Sequence, residues 1–154
     1  MKFSLIFICF SLGLLKMNFG VSAEEDPNEE KIKMAEQFAE SCYGKDGTTK
    51  ADFDFMFREK HLPETRPQKC LGACMHEQFE TIKDNKFNRE TFVALLKGVA
   101  NDEKKNPVIE EMGETCEKIV EEDRCELAHK LTLCFIEVAE KHGYDFQKLQ
   151  NGEI

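Results

Sequence analysis

Tryptophan is absent from the 154 residues and tyrosine occurs only twice. No Asn-x-Ser/Thr triplet is present, which excludes N-glycosylation. Lysine and arginine do not cluster, and the formal net charge is −9. That balance disfavours nucleic acid and anionic membrane surfaces, both of which call for a basic patch. Gly-x-Ser-x-Gly and His-Glu-x-x-His are missing, and so is the His-Asp pair of small secreted phospholipases. Cys42-Tyr43-Gly44-Lys45-Asp46-Gly47 is only a passing likeness to a phospholipase calcium loop, and His76-Glu77 reads as a surface pair on a helix. An EF-hand loop needs Gly at its sixth position and Glu at its twelfth. Counted from Asp84 these are Arg89 and Leu95, and from Asp46 they are Ala51 and Phe57, so both segments read as turns. No catalytic set, metal site or cofactor is expected.

One apolar run is present, Phe3 to Leu15, after Lys2 and before Val21-Ser22-Ala23. It is shorter than the roughly 20 residues that a membrane helix needs. Small residues at positions 21 and 23 fit a secretory leader, residues 1–23, cut after Ala23. Lys2 and Lys16 leave with it, so 21 basic residues become 19 against 30 acidic ones, and the net charge moves from −9 to −11. Cys9 leaves too. Six cysteines remain, Cys42, Cys70, Cys74, Cys116, Cys125 and Cys134, and an even count in a small secreted chain reads as three disulfides.

Residues 24–154 then form one domain. Apolar residues recur at helical spacing in six segments. Ile32, Ala35, Phe38, Ala39 and Cys42 mark the first, ended by Gly44 and Gly47. Thr48 or Thr49 caps a second with Phe53, Met56 and Phe57. Pro67 opens a third, whose stripe runs through Leu71, Cys74, Met75, Gln78, Phe79 and Ile82. After a polar turn at 84–87, Asn88 caps a fourth with Phe92, Leu95, Leu96 and Val99. Pro107 opens a fifth, through Met112, Cys116, Ile119 and Val120. The sixth runs from about Cys125 to Lys141 with Leu127, Leu131, Cys134, Phe135 and Val138 on one face. Gly143 ends it, leaving a tail, residues 144–154, that carries Tyr144, Phe146 and Leu149. The expected fold class is all-α, compact and stapled by disulfides.

Cys70 and Cys74, at i and i+4, share one helix face and are poorly placed to bridge each other. Cys125 and Cys134, if helical, are separated by about 13 Å of rise, beyond the roughly 7 Å reach of a disulfide. These limits prune the connectivities without fixing one. With no Trp and nine Phe after the leader, the helices need not fill their own interior, and staples would let a hollow centre persist. The same stripes fit a solid core.

The spacing Cys42-x27-Cys70-x3-Cys74-x41-Cys116-x8-Cys125-x8-Cys134 resembles the six-cysteine insect odorant-binding proteins, the general-odorant and pheromone-binding family. The x3 and the final x8 are its most restrictive features, and the leader, length, acidity and helix count agree along the whole chain. The resemblance implies bridges Cys42–Cys74, Cys70–Cys125 and Cys116–Cys134. It also implies an apolar cavity for a small volatile or semi-volatile ligand, carried through extracellular fluid toward membrane receptors by a monomer or weak homodimer. Members of this scaffold also carry non-odorant lipophiles in saliva, venom, reproductive fluid and haemolymph. Phe135, Tyr144 and Phe146 match places where the family puts pocket walls. The helical stripes add Phe57, Phe79, Phe92, Leu95, Leu96, Val99, Met112 and Val138 as candidates. Burying roughly 300 Å² of ligand would gain about 7 kcal/mol, which after association costs suggests roughly micromolar affinity.

The resemblance also implies ligand release when acid loosens a loop or the C-terminal tail. Of the four histidines, which can titrate in the physiological range, His142 just before the tail is expected to be one trigger, helped by Glu137, Glu140 and Asp145. The tail itself is expected to act as a lid or wall.

Overall fold

The computed structural model describes residues 27–145, and only these are considered below. The leader 1–23, Phe146 and Leu149 lie outside them. Six helices make up the described chain: α1 Pro27–Glu40, α2 Lys50–Phe53, α3 Arg66–Gln78, α4 Arg89–Ala100, α5 Asn106–Cys116 and α6 Arg124–Lys141. None is long and apolar enough to cross a membrane. A two-residue antiparallel ribbon, β1 Ile82–Lys83 with β2 Lys86–Phe87, joins α3 to α4.

Local chemistry sets the helix starts. Thr49 accepts a hydrogen bond from the Asp52 amide while the Asp52 carboxylate accepts from the Thr49 amide, and Thr65 and Gln68 reciprocate in the same way at α3. Asn88 accepts from the Thr91 amide, and Asp123 from those of Cys125 and Glu126. α2 passes directly into a π turn at Asp54–Arg58. There Arg58 reaches Glu29 (2.8 Å), Glu36 (2.8 Å) and Asp54 (3.0 Å), tying α1 to α2.

The helix ends depart from the apolar periodicity in two places. The third stripe continues through Ile82, but α3 stops at Gln78. Glu80 turns left-handed at φ 55°, and the Thr81 amide folds back to donate to the His76 carbonyl at 3.0 Å. This is a Schellman closure with Glu in place of the usual Gly. Ile82 is instead buried on the ribbon, whose turn places Asp84 (φ 49°) and Asn85 (φ 58°) as a type I′ pair requires. The fifth stripe extends through Ile119 and Val120, but α5 ends at Cys116 and Val120 stands 89% exposed. At α6 the expected stop holds: Gly143 takes φ 80° and the Tyr144 amide donates to the Ala139 carbonyl.

α3 packs along α6 at the centre, α5 lies on α6, and α4 lies on α5, while α1 and α2 cover α3. Three disulfides follow this order. Cys42–Cys74 ties the chain just after α1 to α3, Cys70–Cys125 ties α3 to α6, and Cys116–Cys134 ties α5 to α6.

α4 and α5 approach so closely at Gly113 that an added Cβ would sit 2.7 Å from Val93 Cγ2 and 3.1 Å from Arg89 Cγ. Gly113→Ala is therefore expected to cost about 1–3 kcal/mol by overpacking, against any gain in helix propensity. Chemical denaturation of the two proteins checks the sign, and an unchanged or raised midpoint would refute the tight contact.

Candidate ligand-binding interior

The buried apolar residues fall into three clusters rather than one. The first, between α3, α5 and α6, includes Ile82, Leu127 and Leu131, with Phe87 and Phe135 against it. The second, between α1, α2 and α3, includes Phe53, Met56 and Leu71, with Phe57 and Met75 at its edge. The third, between α4 and α5, is Phe92, Val93 and Ile109, with Leu96, Met112, Phe87 and Phe135 alongside. Phe87 and Phe135 link the first and third clusters. The second shares no member with either.

The link is an aromatic wall. Phe92 stacks on Phe135 with ring centroids 4.2 Å apart, and Phe87 meets them at 5.1 and 5.7 Å. On the other side Phe57 stacks on Phe53 at 4.6 Å, and Phe79 pairs with Phe38 at 4.9 Å. Thus the structure brings Phe92, Leu96, Met112 and Phe135 together. Phe57 belongs to the second cluster, and Phe79, paired with Phe38, to none of the three. Leu95 is half-buried and Val138 buried, both outside the three clusters. Val99 lies on the α4 apolar stripe, but it falls in the last turn, past the packing on α5, and stands 64% exposed. Tyr144 is half-buried. Phe38, Phe53, Phe87 and Met75 were not among the candidates, although Phe38, Phe53 and Met75 sit on the stripes that supplied them.

His76 is the main correction. Its neighbour Glu77 is exposed and ion-paired to Arg124 at 2.9 Å, but the imidazole turns inward, 6.4 Å from the Phe135 ring. Burial pushes its pKa down to about 4, with no charged neighbour to offset it. His129 is also pushed down, first by burial and then by Lys69.

His142 has a different partner from the expected Glu137, Glu140 and Asp145. Its Nε2 lies 2.7 Å from Glu111 on α5, whose other oxygen accepts from Lys141 at 2.6 Å. Lys141 first, and His142 second, hold the Glu111 carboxyl below its usual range. The two contacts tie the end of α6 to α5 through one carboxylate.

A cleft of about 710 Å³ opens elsewhere, between the C-terminal end of α3, the ribbon turn and the start of α6. It is crossed by Arg66–Asp123 (2.7 Å) and Arg124–Glu77 (2.9 Å), and so is a charged surface feature. Among the described residues no group of three His, Cys, Asp or Glu side chains is placed to hold a metal.

The three bridges, and the six helices they connect, are the arrangement that the cysteine spacing implies in one known family. Its sequence profile, described as the PBP/GOBP family, matches residues 24–138. The chain belongs to that family. It is 26% identical to general odorant-binding protein 19d of Drosophila melanogaster over 132 residues, which covers 84% of this chain and 87% of the relative. Among solved structures, Drosophila melanogaster odorant-binding protein 28a is similar at a TM-score of 0.64 with 30% identity, covering 77% of this chain and 99% of that one. The fatty acid binding protein OBP56a from the oral disk of the blowfly Phormia regina shares the fold at a TM-score of 0.60 and 18% identity, covering 78% and 99%. The all-α fold expected from the sequence is therefore the family's fold.

Proposed function

We propose that this chain is a secreted carrier that holds a small apolar molecule between its helices and moves it through aqueous fluid toward membrane receptors. The observation that carries the reading is the division of the interior. An aromatic wall on α4 and α6 stands apart from the cluster on α1 to α3, with the half-buried Leu95 in neither. Membership of a family named for odorant and pheromone binding supports it, and so does a family match beginning at residue 24, directly after a leader ending at Ala23. Phe92, Leu96, Met112 and Phe135 would form one side of the site, Phe57 and Phe79 the other, with Leu95 and Val138 beside them. The tail from Tyr144, including Phe146, would cover it. The carrier acts as a monomer or weak homodimer, needs no cofactor and performs no catalysis.

Displacement of N-phenyl-1-naphthylamine from the oxidised protein by volatiles and long-chain lipids tests this. Saturable micromolar displacement that depends on chain length is expected. In Phe135→Ala the affinity should fall about tenfold, because the wall loses its shared ring. Failure of the probe to bind a protein with all three bridges verified would refute the carrier.

A further inference from the structure

The polar group set into the aromatic wall has a fixed hydrogen-bonding character. The Thr81 side chain is 2% exposed, and its hydroxyl donates to the His76 carbonyl at 3.0 Å. A hydroxyl has one proton. Thr81 Oγ1 also lies 2.8 Å from His76 Nδ1, and with the hydroxyl proton on the carbonyl it is Nδ1 that carries a hydrogen and donates it across this contact. In a neutral imidazole the other nitrogen, Nε2, is then a bare acceptor. The Thr81 amide bonds to the same carbonyl at 3.0 Å, which fixes Thr81 against the end of α3 and leaves the arrangement little freedom.

Nε2 lies on the far side of the ring from Thr81. Among the described residues no donor reaches it, although the ring sits beside Phe135 in the interior. His76 is not fully packed, being half-buried by exposed area while deep enough for desolvation to keep it neutral. Nε2 is not one of the buried unpartnered side-chain atoms, so it keeps accessible surface that a ligand can meet. A ligand supplying a proton donor satisfies it, whereas one without a donor covers it and leaves it unpaired.

We infer that His76 is a specificity-determining acceptor, whose Nε2 selects ligands ending in a hydroxyl group. This rests on the carrier reading and names the ligand class of the same interior. An alcohol or phenol donates its O–H to Nε2. Ethers, esters and aldehydes offer only acceptors and would set a lone pair against a lone pair. An ionised fatty acid is acceptor-only too, and would require His76 to take up a proton that its surroundings resist. The alkyl remainder of the alcohol lies along Phe135 and Phe92.

The test uses four ligands of one chain length, 1-decanol, its methyl ether, decanal and decanoate, each displacing N-phenyl-1-naphthylamine at neutral pH. Wild type should prefer the alcohol to the ether by about tenfold, the range of one buried hydrogen bond. His76→Leu should erase that preference while ether affinity changes less than about twofold. Nitrogen-15 spectra of the histidines in the unaltered protein provide a reading that does not depend on the variant folding. They should show Nδ1 protonated, and a Nε2 resonance that moves on adding decanol and not on adding the ether. A Nε2–H tautomer, or an unchanged alcohol-to-ether ratio in His76→Leu, would overturn the inference while leaving the carrier intact. A decanoate preference would do the same. No binding of the probe by correctly bridged wild type would instead remove the carrier reading, and this inference with it.

Discussion

Replacing Cys70 and Cys125 together by serine is expected to remove about 4 kcal/mol of stability, the largest loss among the three bridges. The bridge closes the longest loop, a sequence separation of 55 against 32 and 18 for the others. It also joins α3 to α6 where both sulfurs are fully enclosed, Cys70 at 0% and Cys125 at 1% exposure. On the chain-entropy argument the Cys116–Cys134 loop contributes about 3 kcal/mol, so the two double variants should differ measurably. The functional consequence follows from what the two helices carry. His76 is on α3, Phe79 caps its end, and Phe135 is on α6, so loosening this pair moves one side of the interior against the other. Denaturant midpoints of the oxidised variants, alongside probe affinity, check both claims. A greater loss from Cys116 and Cys134 would show that packing on α6, rather than loop closure, sets the order.

Acid should weaken the fold well before its carboxylates titrate. The His76 pKa is depressed from 6.5 to about 4 in the folded protein. Between those values the unfolded chain binds a proton that the folded chain refuses, so stability falls as pH drops through that window. At about 1.4 kcal/mol per pKa unit the full loss is about 3.5 kcal/mol, and partial solvent access reduces it to about 2–3 kcal/mol. His129 adds to the same window with the same sign. Glu36, Asp54, Glu110, Glu111, Glu121 and Asp123 are all held below their usual values, so their stabilisation is present above the ordinary carboxylate range and is lost as pH falls through the lowered values. Denaturation midpoints of wild type and His76→Gln from pH 7.4 to 4.0 should therefore diverge below 6.5, the variant falling less. Parallel curves would show that the His76 pKa is the same in the folded and unfolded chain.

Much of the fold was legible because its signals are local. Thr49, Thr65 and Asn88 announce helix starts through their own side chains, and Gly143 announces a stop through its backbone. Glu80 gives no such signal, since a left-handed glutamate is tolerated only because the Thr81 amide and hydroxyl both close onto His76. The ribbon was missed for a related reason: two residues per strand are too few to show alternation, although Asp84-Asn85 marks the turn. Depth was less legible still. Periodicity gives the face of a helix and says nothing of where its neighbour ends, which is why Val99 shares a stripe with Phe92 yet is exposed. His76 beside the charged Glu77 reads as surface until the turn at Thr81 draws the ring inward. Glu111 and His142 are far apart in sequence and meet only because the Cys116–Cys134 bridge holds α5 along α6.

The most direct test is a crystal structure of the oxidised protein grown with 1-decanol. The account predicts ligand density between the Phe92–Phe135 wall and α3, enclosed by the helices and clear of the charged cleft near Arg124. A close-packed interior with no such density, or decanol bound only in that surface cleft, would contradict it.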